Sequence, residues 1–161
     1  EEDEFIDEDL SIREYLKEII SSFKETSEKE FVLNFDQDSN PKKITKSIEI
    51  VYGLRNFIGN AIKFSKTTVE ICIISDKDYL KVLINDDGPG FPDDIKEYLG
   101  EPYIKSRSDK VTPNAGTGLG TFLGKTLLER LSASLKFDYD QKLGGASVII
   151  HWNIKDLAPK V

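Results

Sequence analysis

The sequence predicts an α+β fold: a two-layer sandwich in which about three helices cover one face of a mixed, mostly antiparallel sheet of about five strands. Three observations lead there. The β-rich segments come in pairs with short turns between them, 67–75 with 78–86 and 134–141 with 145–154, which is how antiparallel hairpins read in sequence. Three other stretches repeat apolar residues every three to four positions, the spacing of a helix with one buried face. A chain of 161 residues, 39% hydrophobic and 32% charged, can bury one core without disulfides or metal.

Taken in order, residues 1–10 (EEDEFIDEDL) are strongly acidic and read as a linker; 11–155 form the domain and 156–161 a tail. Ser11 and Glu14 make a capping box, the hydroxyl covering an amide of the first turn while the carboxylate reaches back. Ile12, Tyr15, Leu16, Ile19, Ile20 and Phe23 then share one helical face. EFVLNFDQD (30–38) reads as a short strand running into turn formers. Residues 44–65 read as a long helix with Ile48, Val51, Leu54, Ile58 and Ile62 as its apolar stripe. Asp76-Lys77 joins the strands of the first hairpin, and Gly88-Pro89-Gly90 breaks the pattern after it. Residues 92–100, with Pro at the start and Gly at the end, predict a short helix. The polar run 101–114 predicts a mobile loop. Residues 118–132 predict a helix with Leu119, Phe122, Leu123, Leu127 and Leu131 facing inward, and the last hairpin turns at Lys142-Leu143-Gly144-Gly145.

Composition excludes several functions. A net charge of -7 without a basic stripe argues against nucleic-acid binding. The single cysteine, Cys72, rules out an internal disulfide and sits in an apolar run, which reads as a core thiol. The single histidine, His151, cannot build a histidine metal centre; beside Trp152 in the last strand it reads as structural. There is no signal peptide and no apolar run of the roughly 18 residues that cross a membrane. The chain opens on Glu1 rather than Met and reads as a piece of a longer protein.

The stretch GTGLGTFLGKT (116–126) carries two glycine signals. Gly124-Lys125-Thr126 looks like the end of a P-loop, but that pattern needs its first glycine at position 119, which is leucine. Lys125 therefore reads as a solvated helix lysine. The dinucleotide fingerprint fails too, since it needs glycine at 121, which is Thr121. Gly116-Thr117-Gly118-Leu119-Gly120 suits another use: glycines let the backbone approach a ligand, and the helix that follows offers free amides and a positive dipole end to an anion. Alone it is also an ordinary glycine-rich helix entry.

Two companions sharpen it. In NFIGNAIKF, Asn56 and Asn60 are one turn apart, with Lys63 and Phe64 one turn further. A carboxamide oxygen suits Mg²⁺ and a lysine suits phosphate; the plain alternative is a solvated polar face. In INDDGPGFP, a strand ends beside Asp86, where a carboxylate fixed next to a glycine turn can accept a hydrogen bond from an exocyclic amine such as adenine's. The plain alternative is a turn rich in Asp, Pro and Gly.

With these motifs in this order the sequence resembles the ATP-binding domain of sensor histidine kinases, within the gyrase, Hsp90, histidine kinase and MutL ATPase superfamily. Asn56 to Asn60 resembles the N box, Asp86-Asp87-Gly88-Pro89-Gly90 the first glycine box, and Glu101-Pro102-Tyr103 the F box with Tyr in place of Phe. Gly116 to Gly120 resembles the second glycine box, and Gly144-Gly145-Ala146 the final glycine turn. The resemblance covers roughly residues 10–155, and GTGLGTFLGKTLLERL looks similar to redox-responsive RegB/PrrB-type kinases. It implies a Bergerat-type sandwich that binds ATP and Mg²⁺. Asn60 would hold Mg²⁺ with Asn56 in support, Lys63 would meet phosphate, and Phe64 would line the adenine pocket. Asp86 would hold the adenine amine and Gly88 and Gly90 would shape the pocket floor. Gly116, Thr117, Gly118, Leu119 and Gly120 would wrap the phosphates, with Lys105 and Arg107 on a mobile lid over 101–115.

The resemblance further implies transfer of the γ-phosphoryl group to a histidine on a separate helical hairpin, which this chain lacks, and then to a response regulator. Alone, the chain would bind ATP without autophosphorylating and stay monomeric, while a homodimeric bacterial parent would lie in the cytoplasm, with an inner-membrane anchor as an option. Where the gyrase, Hsp90 and MutL branches carry the water-activating Glu, this chain has Asn56, which disfavours direct hydrolysis. A degenerate interaction module and a serine kinase of the anti-sigma kind stay open as alternatives.

Overall fold

A computed structural model describes residues 9–35, 43–45, 47–91 and 116–157. Asp9–Ser11 forms β1 and Ile12–Lys24 forms α1. The capping box is present: Ser11 Oγ accepts from the Glu14 amide at 3.2 Å, and the Ser11 amide donates to Glu14 Oε1 at 3.0 Å. Ile12, Tyr15, Leu16, Ile19 and Ile20 are buried as their spacing predicts. Asp9 and Leu10, expected in the acidic linker, instead pair with Thr45 and Ile44 of β3 (Lys43–Thr45). The long helix α2 accordingly starts later than its apolar pattern suggested, at Ile48–Phe64, and is capped by Ser47, whose Oγ accepts from Glu49 and Ile50 amides. Ser47 is tied to α1 as well, donating its own amide to the buried Tyr15 hydroxyl at 3.2 Å.

The main sheet contains β2 (Glu30–Phe35), β4 (Thr68–Ser75), β5 (Tyr79–Asp86), β6 (Ser134–Tyr139) and β7 (Ala146–Asn153) in the order β2-β4-β5-β7-β6. Among the described strands of this sheet only β2 with β4 is parallel; the other pairs are antiparallel. The first hairpin closes on Asp76, which accepts the amides of Asp78 and Tyr79. Strand alternation sends Val69, Ile71, Ile73, Leu80, Val82 and Ile84 to one face, in register with Val148, Ile150 and Trp152 of β7. That face meets α1, α2 and α3 (Gly116–Glu129) in one core, and α4 (Ile154–Leu157) follows β7. The predicted two-layer α+β sandwich with a mixed five-stranded sheet is the observed architecture.

Several inward positions differ from the periodicity. On α2 the buried residues are Ile50, Gly53, Leu54, Phe57, Ile58 and Ala61, while Ile48 is 69% exposed. The helix is rotated because α3 packs along it. A Cβ on Gly53 would meet the Leu128 side chain at 2.6 Å, and one on Gly124 would meet Phe57 at 2.9 Å. Among the described side chains of α3, Leu128 is therefore the leucine turned fully inward, while Leu123 is half exposed. Lys125 is not a solvated lysine: it is buried and its Nζ lies 2.8 Å from Glu129 Oε1 one turn on. Cys72 is no core thiol either, since alternation places it on the opposite face, half-buried, where burial pushes its pKa up. His151 is half-buried and stacks on Tyr79 with ring centroids 5.6 Å apart. Residues 36–38, the predicted helix 92–100 and the lid stretch 101–115, with Lys105 and Arg107, lie outside the described residues.

Candidate functional site

Three segments converge at one end of the sheet: the second half of α2, the end of β5 and the start of β7. Asp86 is the last residue of β5, on the side that faces the helices, and is 4% exposed. Its Oδ1 accepts from the Gly88 amide at 2.8 Å and the Ala146 amide at 3.2 Å. Its Oδ2 has no hydrogen bond among the described residues. Burial raises the carboxyl pKa and the two amides only partly offset it, so Asp86 holds its proton at higher pH than an ordinary aspartate.

The neighbouring glycines are required by close approach. A Cβ on Gly88 would collide with the Phe64 carbonyl at the end of α2, and one on Gly145 would collide with the Asp86 carbonyl and carboxylate. Gly90 has φ of +99°, and a Cβ there would lie 2.6 Å from the Tyr139 ring. Asp87 points the other way. Its carboxylate accepts the amides of Lys66, Thr67 and Thr68 at 2.8–3.2 Å and the Thr67 hydroxyl at 2.8 Å. Burial is the largest single influence and opposes its ionisation, but the four hydrogen bonds together outweigh it and hold its pKa well below the usual carboxylate range. From the other side Lys29 Nζ donates to the carbonyls of Ser65 and Lys66 at 2.6 and 3.2 Å. The turn after α2 is thus fixed to the end of β5.

Between these walls is a narrow cavity of about 30 Å³. Asn60, Ala61 and Phe64 line it from α2, Ile84 and Asp86 from β5, and Ala146 and Val148 from β7. Phe57, Phe91 and Phe137 add aromatic walls, with the rings of Phe91 and Phe137 edge to face at 5.5 Å. Of the residues predicted from sequence, Asn60, Phe64, Asp86 and Gly90 therefore meet at one cavity, and Gly88 supports it from behind. Asn56 and Lys63 do not line it. Asn56 Nδ2 donates to the Tyr52 carbonyl at 2.8 Å, and Lys63 is exposed with its Nζ 5.3 Å from the Phe64 ring centre. Gly116, Thr117, Gly118, Leu119 and Gly120 are the first residues of α3, so the helix begins two residues before the predicted start at Gly118. The side chains of Thr117 and Leu119, including the expected core anchor at Leu119, lie outside the described set.

Sequence reasoning missed Phe57, Phe91, Phe137 and Gly145 as site residues, and Asp87 as a staple. Gly145 had a signal, its place in a Gly-Gly turn; the phenylalanines had none, because only the fold brings them together. The option of an inner-membrane anchor finds no support in these elements: among the described residues no helix is long and apolar enough to cross a membrane.

Comparison with known proteins places this geometry. Residues 45–156 match the family described as histidine kinase-, DNA gyrase B- and HSP90-like ATPase. The sensor histidine kinase RegB of Cereibacter sphaeroides is 37% identical over 105 residues, 62% of this chain and 23% of that protein. The sensor histidine kinase CpxA of Escherichia coli is 28% identical over 111 residues, 69% of this chain and 23% of that protein. The chain thus spans about a quarter of the length of these relatives. Among solved structures, the mycobacterial sensor histidine kinase MprB superposes with a TM-score of 0.68 at 19% identity, covering 95% of this chain and 99% of that one. The catalytic domain of histidine kinase ThkA gives 0.68 at 18% identity, covering 94% and 98%; at these identities the likeness concerns the fold. The chain belongs to the family of histidine kinase-, DNA gyrase B- and HSP90-like ATPases.

Proposed function

We propose that this chain is the nucleotide-binding catalytic domain of a two-component histidine kinase, which binds Mg-ATP and presents its γ-phosphoryl group to a histidine on a separate helical hairpin. The observation that carries the reading is Asp86: a buried carboxylate at a cavity wall, with one oxygen held by two backbone amides and the other left for a donor on a ligand. A flat base between Phe57, Phe64 and Ala146, with an amine toward Asp86, fits the chemistry of that wall.

The donor set is consistent with a hydrated cation. Among the described residues no group of three or more His, Cys, Asp or Glu could hold a metal, so Mg²⁺ would depend on the Asn60 carboxamide oxygen, phosphate oxygens and water. Bound Mg-ATP would supply the γ-phosphoryl group and neutralise its charge. Asn60 would hold the cation and Asp86 would fix the base. The amides at the start of α3, Gly116 to Gly120, would offer phosphate oxygens the positive end of the helix dipole. Asn56 cannot take a proton from water, which favours an acceptor that brings its own nucleophile over hydrolysis. Lys63, Lys105 and Arg107 remain candidates for phosphate contact, Lys63 from an exposed position. The phosphoryl group would pass from the histidine to a response regulator, with dimerisation supplied by the hairpin.

Calorimetry with Mg-ATP tests the binding: a single site is expected, lost in Asn60→Ala, and no binding by the unmodified domain would sink the reading. Adding a purified histidine-bearing hairpin with labelled ATP tests the transfer. Labelled hairpin histidine is expected, and label on a protein serine without any hairpin would select the serine-kinase alternative instead.

A further inference from the structure

The face of the sheet turned away from the helices carries a hydrogen-bonded chain of polar side chains. Asn34 Nδ2 donates to Glu70 Oε2 at 2.7 Å, Asn85 Nδ2 donates to Glu70 Oε1 at 3.4 Å, and Ser147 Oγ donates to Asn85 Oδ1 at 2.6 Å. The chain crosses β2, β4, β5 and β7 in turn. Glu70, Asn85 and Ser147 are only 5%, 3% and 5% exposed. Lys142, in the turn between β6 and β7, closes it with its Nζ 3.2 Å from Glu70 Oε2 while its own side chain stays 73% exposed. Buried polar groups are tolerated when each finds a partner. Here every partner belongs to another strand or to the turn, so the network holds these strands together at one end of the sheet.

That end is the one that carries Asp86. Asn85 precedes Asp86 and Ser147 follows Ala146, and alternation sends Asn85 and Ser147 to the rear while Asp86 and Ala146 face the cavity. The Ser147–Asn85 bond at the rear is therefore the counterpart of the Ala146–Asp86 bond at the front, with Asn85 and Ser147 directly paired in the β5–β7 ladder. Lys142 anchors the turn that delivers Gly145 against the Asp86 carbonyl and carboxylate.

We infer that Glu70, Asn85 and Ser147, with Lys142, are positioning residues that fix the Asp86 carboxylate for recognition of an amine on a bound base. The inference deepens the nucleotide reading and rests on it. Its test pairs Ser147→Ala with Ser147→Thr, which keeps the hydroxyl, and with Lys142→Ala, whose own side chain is exposed. Two quantities are read: the ratio of affinities for Mg-ATP and Mg-inosine triphosphate, which lacks the amine, and ligand-free amide exchange at Gly88 and Ala146. Ser147→Ala is expected to narrow the preference for ATP about fivefold, the size of one lost hydrogen bond, and to speed exchange at both amides. Ser147→Thr restores both, and Lys142→Ala shifts both in the same direction by less. Unchanged preference and unchanged exchange in folded Ser147→Ala overturn the inference; if that variant does not fold, the same result in Lys142→Ala overturns it. Should the unmodified domain bind neither nucleotide, the nucleotide reading fails and amide exchange alone decides: faster exchange upholds the positioning of Asp86, unchanged exchange overturns it.

Discussion

At the scale of single residues, the site turns on two adjacent carboxylates driven in opposite directions. Asp86 faces the core, where burial raises its pKa, and Asp87 faces the turn after α2, where hydrogen bonds from Thr67, Thr68 and Lys66 lower its pKa. Asp86 accepts an amine best when ionised, so Mg-ATP affinity should fall on acidification, starting above the ordinary carboxylate pKa of about 3.9. Calorimetry across pH checks this, and Asp86→Asn should bind weakly with little pH dependence. Asp87 has the opposite sign. Its folded pKa lies below the unfolded one, so its contribution is fully present above about pH 3.9 and is lost as the pH falls through the depressed value. Asp87→Ala should cost about 1–2 kcal/mol at neutral pH, the net of a few hydrogen bonds to a partly exposed charged acceptor. The difference from the unmodified domain in denaturant unfolding should shrink in acid.

At the scale of elements, α3 ends in a Schellman motif on a residue ill suited to it. The Ala133 amide donates to the Leu128 carbonyl at 3.2 Å and the Ser132 amide to the Glu129 carbonyl at 3.0 Å, with Ser132 at φ of 72°. Ser132→Gly should remove the left-handed strain and stabilise the domain by about 1 kcal/mol, seen as a higher denaturant midpoint at unchanged slope; a lower midpoint would mean that the serine side chain matters more than the strain. The capping box and both hairpins were legible in sequence because each depends on local spacing, whereas Asn60, Phe64 and Asp86 were legible only because their motifs stand in the order of a known family. The buried face of α2 was not. Ile48, Val51, Leu54, Ile58 and Ile62 and the observed Ile50, Leu54, Phe57, Ile58 and Ala61 both repeat every three to four residues. What chooses between them is where α3 comes closest, and the residues that mark that approach, Gly53 and Gly124, carry no apolar signal. Likewise Asp87 reads as an ordinary turn aspartate until the 66–68 backbone folds against it.

At the scale of the whole molecule, the cavity is cut into the main core rather than set beside it. Phe57, Ala61, Ile84, Phe137 and Val148 both line it and belong to the core cluster, so occupancy should be felt in global stability. A ligand that binds only the folded state at a hundred times its Kd stabilises by about 2.7 kcal/mol. For a domain of this size that raises Tm by about 5–10 °C. Asp86 gives this prediction a sharper form. Burial disfavours its charged form, so its ionisation opposes folding of the empty domain. Asparagine keeps an oxygen for the Gly88 and Ala146 amides without the buried charge. Asp86→Asn should therefore melt at or above the unmodified domain without nucleotide, and below it with saturating Mg-ATP. Thermal melts of both proteins with and without Mg-ATP check the crossing. If Asp86→Asn melts lower in both conditions, Asp86 is a structural carboxylate and the base-reading role belongs elsewhere in the cavity.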